Sequence, residues 1–463
     1  MASYNGISLK SKAVIHVLGG GLAGAEAAWQ IARAGLDCIL YEMRPVRQTA
    51  AHRTGDLAEL VCSNSLKSDA EFTASWLLKQ ELRRLGSLCM EAATRARVPG
   101  GHALTVDREL FAREVTRAIL GEPRVRVVRE EVTEVPSEGI VIIATGPLTS
   151  DALAADIARR TGSEGLYFYD SISPIVDAAT IDVEKVFAAS RYGKSLDGGG
   201  DYLNCPMNRD EYEAFVDAIL AAEPADAHIE EDRLLREGKV PFFEACLPIE
   251  ELARRGRDTL RFGPMKPVGL IDPRTGKRPW AVVQLRQEDL RAGSYNMVGF
   301  QNYMKFSEQK RIFRMIPGLE RAEFLRFGQI HRNTYINAPA LLDGCLRLKQ
   351  EPRILFAGQI SGVEGYVESM ATGLLAGRVA AAMARGEEPR PVPRETALGS
   401  LVHYVTHARG GAYQPANIAF DLLPELDEET RRRLGRDRRA RHAELCRRAL
   451  EALERHERAA TMD

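Results

Sequence analysis

No stretch of this sequence approaches the roughly 20 consecutive apolar residues that a membrane-spanning helix requires, so a membrane partner is not expected. Lys10 and Lys12 stand near the start, but no uninterrupted apolar core precedes the first strand, and an export leader is not expected either. Excess charge is also missing. The 63 basic side chains face 64 acidic ones, so any polyanionic partner has to be met by local clusters. Cysteine is sparse: Cys38, Cys62, Cys89, Cys205, Cys246, Cys345 and Cys446 are odd in number and widely scattered. No pair has metal-ligand spacing, which argues against a zinc site, a disulfide framework or any metal centre. The setting expected is soluble, reducing and cytoplasmic.

What is present begins with residues 14–24, Val-Ile-His-Val-Leu-Gly-Gly-Gly-Leu-Ala-Gly. An apolar run of strand length ends in Gly19, Gly20 and Gly21; Leu22 and Ala23 follow, then Gly24 at the mouth of an Ala-rich helical pattern. This is a dinucleotide fingerprint. Gly19 permits the sharp turn, Gly21 the approach of backbone to a pyrophosphate, and Gly24 close packing of helix on strand. The phosphates would sit at the helix N-terminus, where free N–H groups favour negative charge. A second strand, residues 38–41, delivers Glu42 where a carboxylate should meet a ribose hydroxyl.

The polar stretch 44–56, with His52 and three arginines, is too long for a simple connector and leads into Leu60-Val61-Cys62-Ser63-Asn64. A helical pattern carries Phe72, Trp76, Leu77, Leu82 and Leu85 as core, and another begins at Asp107-Arg108-Glu109. The apolar run ending Ala144-Thr145-Gly146 is a second buried parallel strand. Far down the chain, Ile354-Leu355-Phe356-Ala357-Gly358 is a third, and Gly373 punctuates the helix after it. A late strand with a Gly-rich turn closes many two-part flavoprotein folds, and so favours FAD over NAD as the resident cofactor. The fold class expected is α/β, with a Rossmann-like FAD-binding domain of two-part flavoprotein type.

Four units are expected: residues 12–191 and 328–389 as the two parts of the FAD-binding domain, 192–327 as an α+β insertion, and 390–463 as a helical C-terminal segment. In the insertion, Arg254, Arg257, Arg261 and Lys266 form a basic loop, with a second near Trp280. Such charges suit either a solvated face or RNA phosphates. The Arg-rich run 431–448 leaves the same two readings open.

Several motifs together resemble one family. They are Tyr41-Glu42-Met43-Arg44-Pro45, Ala58-Glu59-Leu60-Val61-Cys62-Ser63-Asn64-Ser65, Val106-Asp107-Arg108-Glu109, Ala144-Thr145-Gly146-Pro147-Leu148-Thr149, Phe243-Glu244-Ala245-Cys246-Leu247-Pro248, Gly263-Pro264-Met265-Lys266-Pro267, Arg332-Asn333-Thr334-Tyr335 and Phe356-Ala357-Gly358-Gln359-Ile360. The family is the bacterial folate- and FAD-dependent tRNA uracil-5 methyltransferases, and the similarity runs from the first strand to about residue 424. A more distant likeness, to wobble-uridine-modifying flavoproteins, covers mainly the FAD-binding portion. Gln359 replaces the Asp usual after this glycine in flavoproteins, and the folate-dependent family shares it.

Uracil carbon 5 is a poor nucleophile until something adds to carbon 6, so a thiolate is wanted, and a base must then take the carbon 5 proton. Cysteine serves best if its pKa is lowered. Cys62 and Cys246, both in loops, fit that demand, whereas Cys38 and Cys345 read as buried filler. The resemblance implies Cys246 as the nucleophile and Cys62 as the base or as a second thiol close to the flavin, an assignment that residue type alone leaves open. It also implies methylenetetrahydrofolate as the carbon source, NADPH or NADH as reductant, and tRNA as the partner. His331, Lys305 and Tyr303 lie in segments suited to folate or RNA. The alternatives are a flavin oxidoreductase acting on a small molecule and a flavoprotein scaffold that binds tRNA without chemistry.

Overall fold

The computed structural model describes residues 14–49, 51–162, 166–195, 200–225, 247–408 and 413–462. Its organising layer is a parallel sheet of five strands, in the order Ile354–Phe356, Ile140–Ile143, Ile15–Leu18, Cys38–Tyr41 and Val125–Val128. The three central strands read as near-continuous apolar runs because both faces are covered; all of Ile140–Ile143 is buried. Helices Leu22–Arg33 and Tyr366–Arg385 lie so close that a Cβ on Gly373 would come within 2.2 Å of the Ala23 carbonyl oxygen, and one on Gly377 within 2.5 Å of that of Ala27. Glycine opposite alanine is what lets the early and late segments share one layer.

Local chemistry sets the helix starts. The Thr73 side chain accepts from the Trp76 N–H ahead of Ala74–Arg84, and Asp107 accepts from Leu110 ahead of Arg108–Gly121. The apolar spacing in these helices buries Leu77, Leu82, Phe111, Val115 and Ile119 in the first core, while Phe72 and Trp76 are packed only partly against it.

A second layer is an antiparallel sheet ordered Phe187–Ala188, Tyr202–Met207, Ala281–Gln287, Ser294–Met297, Ile175–Asp177 and Phe324–Arg326. Two of its strands precede residue 192, so the boundary drawn at 191/192 falls inside this unit. Ile175–Asp177 inserts between Ser294–Met297 and Phe324–Arg326, a non-local pairing that no pattern along the chain announces. The layer has its own core, in which Phe300 meets Phe313 edge-on at 5.9 Å. Strands Leu166–Ser171 and Ile330–Tyr335 form an antiparallel ribbon.

The Arg-rich run near the C-terminus is two helices, Glu428–Leu434 and Arg438–Met462, broken at Gly435. Cys446, Ala449 and Leu453 bury themselves in the first core, and Arg447 pairs with Glu444 and Glu451. The second helix is therefore docked along one side. No described helix is long and apolar enough to cross a membrane.

Candidate active site

At the carboxyl ends of the parallel strands lies a cleft holding about 1040 Å³ of empty space. The first strand ends in Gly19, whose φ of +97° requires glycine and whose N–H donates to the Tyr41 carbonyl. Gly24 packs against that turn, since a Cβ there would lie 1.8 Å from the Gly19 oxygen. Gly21 is different: a Cβ there would meet nothing within 4 Å, because this residue faces the open cleft. Gly21 begins helix Leu22–Arg33 without a side-chain cap, and no acidic residue occupies the first turn. Orphan N–H groups beside open space suit a pyrophosphate. The residues present thus fit an FAD.

Glu42 closes the next edge. It is 5% exposed and its carboxylate is fully engaged: Oε1 accepts from Arg44 N and Nε, both at 2.9 Å, and Oε2 from Gly20 N and Arg44 Nη2, both at 3.0 Å. Burial would raise its pKa, but Arg44 outweighs burial and lowers it. Arg44 also donates to Glu59 at 3.1 Å, and Glu59 accepts from the N–H groups of Arg53 and Thr54. The polar stretch 44–56 is wrapped around this buried arginine. Removing one partner of a buried ionic network strands the others, at a cost of about 3–5 kcal/mol. Arg44→Ala should therefore lower unfolding stability at pH 7 by that amount in a denaturant titration; a loss below about 1 kcal/mol would show the network to be dispensable.

The far wall is formed by Ala144, Thr145, Gly146, Gly358 and Gln359, with Met43 near the Glu42 edge. Gln359 Nε2 donates to Glu364 at 2.7 Å, which orients the amide. Gly24 and Gly373 do not line the cleft: Gly24 packs on Gly19, the close helix–strand contact the fingerprint predicts, and Gly373 packs on Ala23.

Cys62 sits at the flank of the cleft, one residue beyond the lining residue Val61. The Tyr366 hydroxyl, which also lines the cleft, accepts from the N–H groups of Cys62 (2.8 Å) and Ser63 (3.1 Å). Arg108 donates to the carbonyls of Leu60 (2.8 Å) and Cys62 (3.3 Å). Cys62 is half-buried, whereas Cys38, Cys89, Cys205, Cys345 and Cys446 are buried. Burial pushes the thiols of Cys38 and Cys446 up to about 12 and that of Cys345 to about 11, which makes them poor nucleophiles. Cys246 lies outside the described residues. Among the described residues, no group of three or more His, Cys, Asp or Glu could hold a metal ion.

The basic loop of the insertion is less free than its sequence suggests. Arg254 pairs with Glu251 and the Tyr303 hydroxyl, Arg257 with Glu213 (2.7 Å) and Asp217 (2.6 Å), and Lys305 with Glu223 (2.8 Å). Tyr303 is buried. Arg261 stacks over Trp280 at 3.8 Å. Lys266 is exposed and has no carboxylate partner among the described residues. His331 belongs to the ribbon strand, its backbone opposite Asp170.

The sequence did not place Thr49 in the cleft, nor His52, named only as part of the polar stretch 44–56; it gave no sign of Tyr366, which also lines the cleft, or of Arg286 and Arg326 near Cys62. The unusual length of residues 44–56 was the available signal for the first two. His52 Nδ1 is hydrogen-bonded to Thr49 Oγ1 at 2.6 Å, and burial, aided by Arg44, lowers its pKa to about 4.

Residues 14–388 match the protein family described as glucose inhibited division protein A. A relative from Solibacter usitatus, named methylenetetrahydrofolate--tRNA-(uracil-5-)-methyltransferase TrmFO, is 68% identical over 95% of this chain and 98% of its own length. A relative of the same name from Koribacter versatilis is 61% identical over 94% of this chain and 96% of its own. Among solved structures, that of Aquifex aeolicus GidA in its form I crystal superposes with a TM-score of 0.66. It covers 97% of this chain and 79% of the other at 18% identity, a likeness of fold.

Proposed function

The chain belongs to the glucose inhibited division protein A family, and within it we propose that it is a methylenetetrahydrofolate-dependent tRNA (uracil-5-)-methyltransferase. The observation that carries this reading is one cleft in which an uncapped, glycine-lined helix N-terminus and the Cys62 loop meet, joined by the Tyr366 hydroxyl. When bound, FAD supplies the hydride and carries the one-carbon unit taken from methylenetetrahydrofolate, with NADPH or NADH as reductant.

The protein's own residues hold and prepare the reactants. The N–H groups after Gly21 would hold the pyrophosphate of a bound FAD, and the fixed Glu42–Arg44 pair would border its site. Cys246 is the nucleophile: its sulfur adds to uracil carbon 6, and the ring electrons displaced make carbon 5 nucleophilic. Once carbon 5 has been alkylated, its proton must leave before the sulfur is expelled from carbon 6. Cys62 takes that proton, held in place by Tyr366 and Arg108 at its backbone. The T-loop uridine thereby becomes ribothymidine. Lys266 on the insertion is the remaining candidate for contact with tRNA phosphates, since Arg261 pairs with Asp258 and donates to the Trp280 carbonyl.

The reading is tested with full-length protein, tRNA lacking the modification, methylenetetrahydrofolate labelled at its transferable carbon, and NADPH. Label should appear in ribothymidine. Turnover of NADPH without label in the tRNA would show a flavin oxidoreductase instead, and tRNA binding without either would leave a scaffold.

A further inference from the structure

Two arginines beside Cys62 are buried with no carboxylate at salt-bridge distance among the described residues. Arg286, on strand Ala281–Gln287, and Arg326, at the end of strand Phe324–Arg326, are each 7% exposed. Arg286 donates to Asn64 Oδ1 (2.8 Å) and Ser63 Oγ (3.1 Å), and Arg326 to the Ala51 carbonyl (3.4 Å). All these acceptors are neutral, and among the described residues neither guanidinium has a carboxylate within salt-bridge distance. Arg108 is the third cation, and Glu288 neutralises it through contacts of 2.5 and 3.0 Å.

The Cys62 sulfur lies within electrostatic reach of all three arginines and of Tyr366. Among the described residues, the charged and titratable groups facing it come from four elements: Arg108 from its helix, Arg286 and Glu288 from the central antiparallel strand and its end, Arg326 from the edge strand, and Tyr366 from the late helix. On the loop before Cys62, Glu59 is already committed to Arg44 and Thr54, and His52 to Thr49. Tyr366 contributes no charge near neutral pH, because burial and the nearby sulfur both raise its pKa. Among the described residues, three cations thus face one carboxylate. A buried guanidinium lacking a counter-charge is costly, and the cost shows at Arg326, whose pKa burial and then Arg108 lower to about 10. The cluster is short of an anion.

We propose that Arg286 and Arg326 are positioning residues that hold the Cys62 sulfur as a thiolate at neutral pH. The thiol proton passes to solvent, and the negative charge missing from the cluster is supplied by the cysteine. The proposal deepens the reading of Cys62 as the base that takes the carbon 5 proton, since a base has to be unprotonated before that proton arrives. It also separates Cys62 from buried Cys38 and Cys446, where burial and nearby carboxylates favour the neutral thiol.

The test needs neither folate nor tRNA. Full-length protein is exposed briefly to iodoacetamide across a pH series, and alkylation of the Cys62 peptide is read by mass spectrometry. Wild type should show a midpoint at or below about pH 7.5, against about 8.5 for an ordinary thiol. Arg326→Met and Arg286→Met should each raise it by about one pH unit, or roughly tenfold less thiolate below the midpoint. Arg326→Lys, which keeps the charge, should restore most of the shift. Flavin content and melting temperature report whether each variant is folded. A wild-type midpoint at or above about 8.5, or a folded Arg326→Met protein that titrates like wild type, overturns the proposal. If the Met variants do not fold, the wild-type midpoint alone decides. Failure of the methylation assay would leave this profile unchanged, so the two readings fail separately.

Discussion

Gly24→Val should yield protein that holds no flavin and melts far below wild type, whereas Gly21→Val should yield folded protein that holds no flavin. The two glycines stand three residues apart in one motif, yet their surroundings differ. A Cβ at Gly24 would be 1.8 Å from the Gly19 oxygen and 3.0 Å from its carbonyl carbon. Backbone cannot give way there, because the same turn is fixed by the Gly19 N–H donating to Tyr41 and by Ala144 packed behind it. The first helix would have to leave the sheet, taking with it the packing of Gly373 on Ala23. At Gly21 no protein atom lies within 4 Å of the added carbon, and the backbone, at φ −73°, is open to any residue. A side chain there costs the fold little and fills the space over the helix N-terminus, so flavin content should fall at least about tenfold. Absorbance of the bound flavin and a thermal melt of each variant check both halves. Equal melts with equal loss of flavin would refute the division of labour between the two glycines.

What the sequence made legible was the chemistry that is local along the chain. The strand, the three glycines, the alanine-rich helix and Glu42 are consecutive, and their spacing carries their geometry; Gly146 and Gly358 follow the same logic at the ends of other parallel strands. Gly373 shows where this stops, because a glycine in a helix facing another helix looks the same in sequence as one facing a cofactor. Arg254 and Arg257 looked available to RNA, yet Arg254 pairs with Glu251 one turn earlier in its own helix, and the partners of Arg257, Glu213 and Asp217, stand on a helix that folding brings alongside. Arg286 and Arg326 are more than 220 positions from Cys62 in the chain, and only the antiparallel sheet places them near it. Strand Ile175–Asp177 pairs with strands that lie more than 100 residues later, and for the same reason its partners are not legible along the chain.

Cys246→Ala and Cys62→Ala should each reduce methylation of tRNA by at least about a thousandfold while leaving flavin content unchanged, since neither thiol is needed for the dinucleotide cleft. Loss of turnover alone does not tell nucleophile from base, but a 5-fluorouridine tRNA does. Fluorine at carbon 5 cannot be removed as a proton, so a sulfur that has added to carbon 6 of the alkylated ring stays attached. With methylenetetrahydrofolate and NADPH present, wild type should form a covalent protein–RNA adduct that survives denaturing electrophoresis, and Cys246→Ala should form none. Cys62→Ala should still form it, because a base that acts only on the carbon 5 proton has nothing to do on a ring that carries fluorine there. If the adduct instead required Cys62 and survived loss of Cys246, the roles would be exchanged, and the arginine cluster around Cys62 would then be serving a nucleophile. The electrostatics favour a thiolate at Cys62 in either role, so it is the adduct that decides which bond that sulfur makes.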